Sequence, residues 1–191
     1  MRDWLTGRRL RRATVERLKT VLSVAATIRN QPDANGQEFL ATAWSDAYGL
    51  GWLVGDATAY LTLAITGRSQ HFTPEQGTRA QKVLEFVLPI ASGQQDIMQR
   101  VAQLSRDKKF TLGARRATAH FWCAKIESSG AADGWLPDWL EADEDVQFAK
   151  RQLYSMSTDQ LARFGEYPLS TFMLMRLFAC YILTPSDKAT A

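Results

Sequence analysis

Residues 38–65 read EFLATAWSDAYGLGWLVGDATAYLTLAI, and the way this stretch folds decides the class of the whole chain. It is rich in alanine, leucine and aromatics. It shows no sustained alternation of apolar and polar positions, so it predicts helix over 37–66 and not strand. Gly49, Gly51 and Gly55 interrupt it, and each glycine inside a helix costs ~1 kcal/mol against alanine. Gly51 and Gly55 are four residues apart and share a face, which suits the close approach of a second helix. A hinge or kink near Gly49 is the other reading. A phosphate loop is not expected, because no strand precedes the glycines and no lysine follows them.

The pattern stays helical in both directions. Upstream, Leu10, Thr14, Val15, Leu18, Val21, Leu22, Ala25 and Ile28 recur at three- and four-residue steps, predicting a helix over 8–30. The cluster NQPDANG at 30–36 breaks it. Downstream, Thr73, Pro74 and Gln76 form a near capping box with proline at the first helical position. The helix they start should end or kink at Pro89. Further helices are expected over 92–105, 111–127, 143–163 and 168–183. A basic turn at 106–109 and a Ser/Gly/Ala linker at 128–134 separate them, and the tail from Thr184 should fray. The fold class is all-α, a bundle of about six helices forming one domain over 1–191, divisible at the linker into parts 1–127 and 135–184.

Composition sets outer limits. Apolar residues are 46% and charged residues 23% of 191, enough to bury a core and too apolar for global disorder. Cys123 and Cys180 are the only cysteines, and without CxxC spacing they read as reduced thiols of a cytoplasmic protein. No signal peptide is expected, and no apolar run approaches the ~18 residues of a membrane span.

Catalytic constellations are lacking. His71 and His120 have no HExxH-like spacing, so neither is expected to hold a metal, and His120 beside Phe121 and Trp122 reads as packed or surface histidine. EADED at 141–145 lacks a calcium-loop pattern and reads as acids complementing a helix start. No serine sits in GxSxG and no dinucleotide fingerprint exists. The expectation is a non-enzyme without cofactor or metal.

The charge is polarised, although the net is only +3. Residues 1–20 carry seven arginines and lysines against Asp3 and Glu16. Arg8, Arg9, Arg11 and Arg12 form one cluster, with Lys19 further along the same helix. Arg106, Lys108, Lys109, Arg115 and Arg116 form a second. Cations in such groups track a phosphate backbone by Coulomb attraction and counterion release, and arginine suits bidentate phosphate contacts. The plainer reading of each cluster is a solvated helix face. Among the six tryptophans, Trp44 and Trp52 read as core, and Trp135 and Trp139 as either a core lid or a partner anchor.

RRATVERLKTV (11–21), EFLATAWSDAYGLGWLVGDATAYLTLA (38–64) and LYSMSTDQLARFGEYPLSTFMLMRLFA (153–179) together resemble the small helical subunit of type III-B (Cmr) CRISPR effector complexes. The similarity includes the Gly49-Leu50-Gly51 element and the closing Met175-Arg176-Leu177-Phe178-Ala179. The resemblance implies a non-catalytic subunit whose copies stack inside a ribonucleoprotein, with basic faces on the backbone of the guide RNA–target RNA duplex. Its partners would be those RNAs, other effector subunits and copies of itself. RRLRR would then be a phosphate-facing edge, and EADED a complementary edge for the next subunit. Two other classes stay open: a helical protein–protein scaffold without RNA, and a helical-bundle domain like the end of acyl-CoA dehydrogenases, to which ATAHFWCAKI (117–126) has a faint likeness.

Overall fold

The computed structural model describes residues 2–28, 34–67, 72–129 and 138–179, with no strand among them. The elements are α1 (Arg2–Ile28), α2 (Ala34–Ser45), α3 (Ala47–Thr66), α4 (Pro74–Ser92), α5 (Ile97–Leu104), α6 (Lys108–Ser128), α7 (Asp138–Glu141), α8 (Glu144–Tyr154), α9 (Thr158–Ala162) and α10 (Pro168–Met173), the last continued by a π-helical segment, Leu174–Ala179. The all-α class holds. Ten helices are described where about six were expected, in part because two expected helices are split by local side-chain chemistry and the short α7 falls where none was expected.

The first split falls at Asp46. Its backbone is extended, and its carboxylate accepts hydrogen bonds from the Tyr48 and Gly49 amides at 2.9 and 3.1 Å. An aspartate that bonds these amides starts a new helix more favourably than it continues an old one. The kink thus lies just before Gly49, where the sequence allowed a hinge. The second split is at Ser157, which forms a capping box with Gln160 and separates α9 from α8. Pro89 behaves differently from expectation: α4 runs through it to Ser92, and Gly93 ends the helix in the left-handed conformation. The missing N–H of Pro89 costs little there, because its bonding partner would be the carbonyl of Glu85, an exposed residue that water can reach. Thr73, Pro74 and Gln76 form the expected capping box.

α3 is the central element. Tyr48 to Leu53 are all buried, and α1, α2, α4, α5 and α6 pack around this helix. Its tightest neighbour is α6. A Cβ placed at Gly51 would collide with the Phe110 carbonyl, one at Gly55 with the Ala114 carbonyl, and one at Gly113 with the Tyr48 carbonyl. The two backbones are therefore in contact along a seam of small residues, as the four-residue spacing of Gly51 and Gly55 anticipated. Trp44 and Trp52 are core residues. The helices after the linker share this core: Trp52 stacks on Phe178 at 4.8 Å, Tyr48 Oη donates to the Leu177 carbonyl, and Glu127 of α6 accepts from the Leu169 and Ser170 amides at 2.8 and 2.9 Å, capping α10. His71, Trp135 and Cys180 lie outside the described residues.

The seam carries a measurable consequence. Gly51→Val should lower stability by about 3 kcal/mol through overpacking, a drop in Tm on the order of 10 °C for a domain of this size. Gly77→Ala, whose new Cβ would stand 3.8 Å from the Phe72 Cβ in ordinary contact, should leave Tm unchanged or raise it slightly. Thermal melts followed by circular dichroism read both; an unaltered Tm for Gly51→Val would show that the seam is not a constraint.

Candidate nucleic-acid interface

The first basic cluster lies on the N-terminal half of α1. Arg8, Arg9 and Arg12 are exposed, as is Lys19, whose ammonium stands 3.6 Å from Glu16. Among the described residues, Arg9 and Arg12 form no ion pair with an acid. Arg11 points elsewhere: its guanidinium lies over the Phe86 ring of α4, 4.4 Å from the centroid, and its buried Nε has no hydrogen-bond acceptor. Phe86 is 46% and Ile90 53% exposed, large values for apolar side chains one helical turn apart. Together with Val15 and the arginines they border an open cleft of about 550 Å3 between α1 and α4, with Glu16 also on its wall.

The second cluster divides. Arg106 lies in the turn before α6, and Lys108 and Lys109 are exposed on its first turn. Arg115 and Arg116 are committed within the chain. Arg115 donates to Asp143 at 2.8 Å and also to Asp145; Arg116 donates to Asp145 at 2.8 and 3.0 Å. Asp145 is buried, and Asp143 caps α8 through the Asp145 and Val146 amides. EADED therefore neutralises a basic pair of its own chain, Glu141 accepts from Lys150, and three of its four acids are thus engaged internally rather than offered as an edge for a neighbouring subunit. As expected, it also places acids at a helix start. Of the ten basic residues expected to contact nucleic acid, Arg115 and Arg116 are held by Asp143 and Asp145, and Lys19 stands beside Glu16 on the surface.

A third polar group sits in the core. Arg17, on the opposite side of α1 from Arg8, donates to the fully buried Asp56 of α3 through Nε at 2.9 Å and Nη2 at 2.8 Å. Burial works against the Arg17 charge, but the hydrogen bonds and charge of Asp56 outweigh it and hold the guanidinium more firmly protonated than usual. His120 of α6 is packed, with Nδ1 3.9 Å from Asp56 Oδ1, beyond a hydrogen bond. Burial pushes its pKa down to about 4; Asp56 opposes that shift and Arg17 adds to it. The imidazole is neutral near pH 7. Cys123 is buried too, and burial first, then nearby acids, push its thiol up to about 12, so it packs as a small apolar group. Among the described residues no group of three or more His, Cys, Asp or Glu could hold a metal, and no helix is long and apolar enough to cross a membrane.

Reading the sequence missed Phe86, Ile90 and the Arg17–Asp56 pair. Signals existed for both. Asp56 is a lone acid in an apolar helix and needs a partner, and Arg17 falls among the buried positions of α1. Lys82, Phe86 and Ile90 recur every four residues on the outer ridge of α4. No protein-family model, no curated protein and no solved structure matches this chain.

The buried histidine sets a pH dependence. A folded-state pKa below the unfolded value means that protonation favours the unfolded chain, so stability falls as pH drops from about 6.5 toward about 4. The loss should be roughly 3 kcal/mol once complete. Urea unfolding of the wild type and His120→Gln at pH 7, 5.5 and 4.5 tests it: the variant should show the shallower decline, and parallel declines would remove His120 as the cause.

Proposed function

We propose that this chain is a non-catalytic, RNA-associated structural subunit of a CRISPR-type ribonucleoprotein effector, set against the RNA duplex by the outer face of α1. One observation carries the reading. Arg9 and Arg12 stand exposed on that face without an acidic partner among the described residues, whereas the chain neutralises Arg115 and Arg116 internally. Exposed arginines in register along a helix suit a polyanion, because each guanidinium can meet a phosphate bidentately and release its counterion. Arg8 and Lys19 lie on the same helix, and Arg106, Lys108 and Lys109 are a separate exposed group at the start of α6. Contacts of this kind read backbone and shape; base pairing between the two RNAs supplies the sequence specificity, a division of labour known in RNA-guided DNA recognition. The similarity of residues 11–21, 38–64 and 153–179 to a small effector subunit supplies the assembly. Stacked copies also need protein–protein surface, and Trp139, Phe148, Tyr154 and Tyr167 of the α7–α10 region are exposed aromatics suited to it.

Fluorescence anisotropy with a labelled RNA duplex, titrated from low to physiological salt, tests the reading. Replacing Arg9 and Arg12 with alanine should weaken binding about tenfold and flatten the log–log salt slope by about 2, with helicity unchanged. Unchanged affinity and slope would remove α1 as the interface. No binding by the wild type at low salt would favour the protein–protein scaffold, whose surface would be the exposed aromatics of α7–α10.

A further inference from the structure

We infer that the cleft between α1 and α4 takes a single unpaired nucleotide of the RNA, its base against the Arg11–Phe86 stack and its phosphate at Arg8 and Arg12. The inference rests on the RNA reading above and adds a ligand class to it. A cleft of about 550 Å3 falls within the range of small-ligand sites, roughly 300–1,000 Å3. Its chemistry is divided. One part is a planar, half-exposed aromatic ring with a guanidinium over it and an isoleucine beside it. Bases stack on aromatic side chains and on arginine planes, and this stacking tolerates any base because each has a π face. The other part is cationic.

The arrangement has a direction. Arg8 and Arg12 lie toward the start of α1, and Glu16 lies one turn beyond Arg12 on the same wall. A carboxylate repels phosphate and accepts from N–H donors. The phosphate therefore belongs at the arginine end, and the amino edge of a base at the Glu16 end. A fully paired duplex buries its bases in the stack and offers none of them to this cleft; a bulge, a flipped nucleotide or a strand end does.

Three labelled RNAs separate the possibilities in anisotropy titrations with the full chain at fixed salt: a perfect duplex, the same duplex with a one-nucleotide bulge, and the same bulge made abasic. The bulged RNA should bind about tenfold more tightly than the other two. Phe86→Ala should erase that advantage while leaving the perfect-duplex affinity as it was. Phe86→Leu, which keeps apolar bulk at a half-exposed position, should do the same and guards against a folding artefact. Equal affinity for bulged and abasic RNA would overturn the nucleotide site while leaving backbone binding by α1 intact. Wild-type protein that binds none of the three would overturn the RNA reading, and this site with it. A dimer that Phe86→Ala dissociates in analytical ultracentrifugation would assign the cleft to a second copy of the chain instead.

Discussion

The backbone contact between α3 and α6 is the constraint from which the rest of the structure follows. Gly51, Gly55 and Gly113 remove the side chains that would hold these helices apart, and each carries a helix-propensity cost that close packing offsets. With the two helices this close, Asp56, one residue beyond Gly55, is sealed in the core. A sealed carboxylate requires a cation, and α6 offers only the neutral His120 nearby. The cation comes from α1. Arg17 reaches Asp56 with two hydrogen bonds, and that reach sets the rotation of α1 about its axis. Nine residues separate Arg17 from Arg8, about half a turn in excess of two full turns. Holding Arg17 inward therefore turns Arg8 and Arg12 outward. A glycine seam on one pair of helices fixes which face of a third helix meets solvent.

The same geometry explains why clusters of like charge in the sequence had two fates. Arg115 and Arg116 are adjacent and basic, as Arg11 and Arg12 are. They differ in what folds against them. Asp143 is committed to capping α8, which positions Asp145 in the first turn, and both carboxylates then face α6. These arginines brace α8 against α6 and thereby hold the helices after the linker to the core. Arg11 is diverted in another way, onto an aromatic ring of α4. Position relative to acids and rings that come from elsewhere in the chain decides whether an arginine is structural or faces a partner, and local charge density does not record it.

Much of the fold was legible in the sequence because its determinants are local. Thr73 with Gln76, the period of apolar residues from Leu10 to Ala25, and the four-residue spacing of Gly51 and Gly55 each act within a turn or two of chain. The split at Ser157 was missed, and that at Asp46 was open only as a kink near Gly49, although both are local too, since a capping side chain mid-pattern gives up nothing in hydrophobic periodicity. The run of α4 through Pro89 was missed because its low cost depends on the exposure of Glu85, which belongs to tertiary structure. The site divided along the same line. The arginines of α1 were named from their spacing as candidate contacts. The cleft could not, because Phe86 and Arg11 are far apart in sequence and meet only when α4 packs on α1.

On the proposed reading, one copy of this surface would act weakly on RNA and several copies would act well. Each phosphate neutralised by an arginine contributes mainly by counterion release, and that contribution shrinks steeply as salt rises toward physiological concentration. One helix face presents few such contacts. In the proposed assembly, copies placed side by side along a duplex would convert each later contact into an intramolecular one, so the faces would sum without any single face becoming tight. That summation works only if every copy presents its arginines at the same angle. An α1 free to rotate would lose the register, and the bidentate pairing of Arg17 with Asp56, fixed in place by the α3–α6 seam, is the feature that prevents rotation.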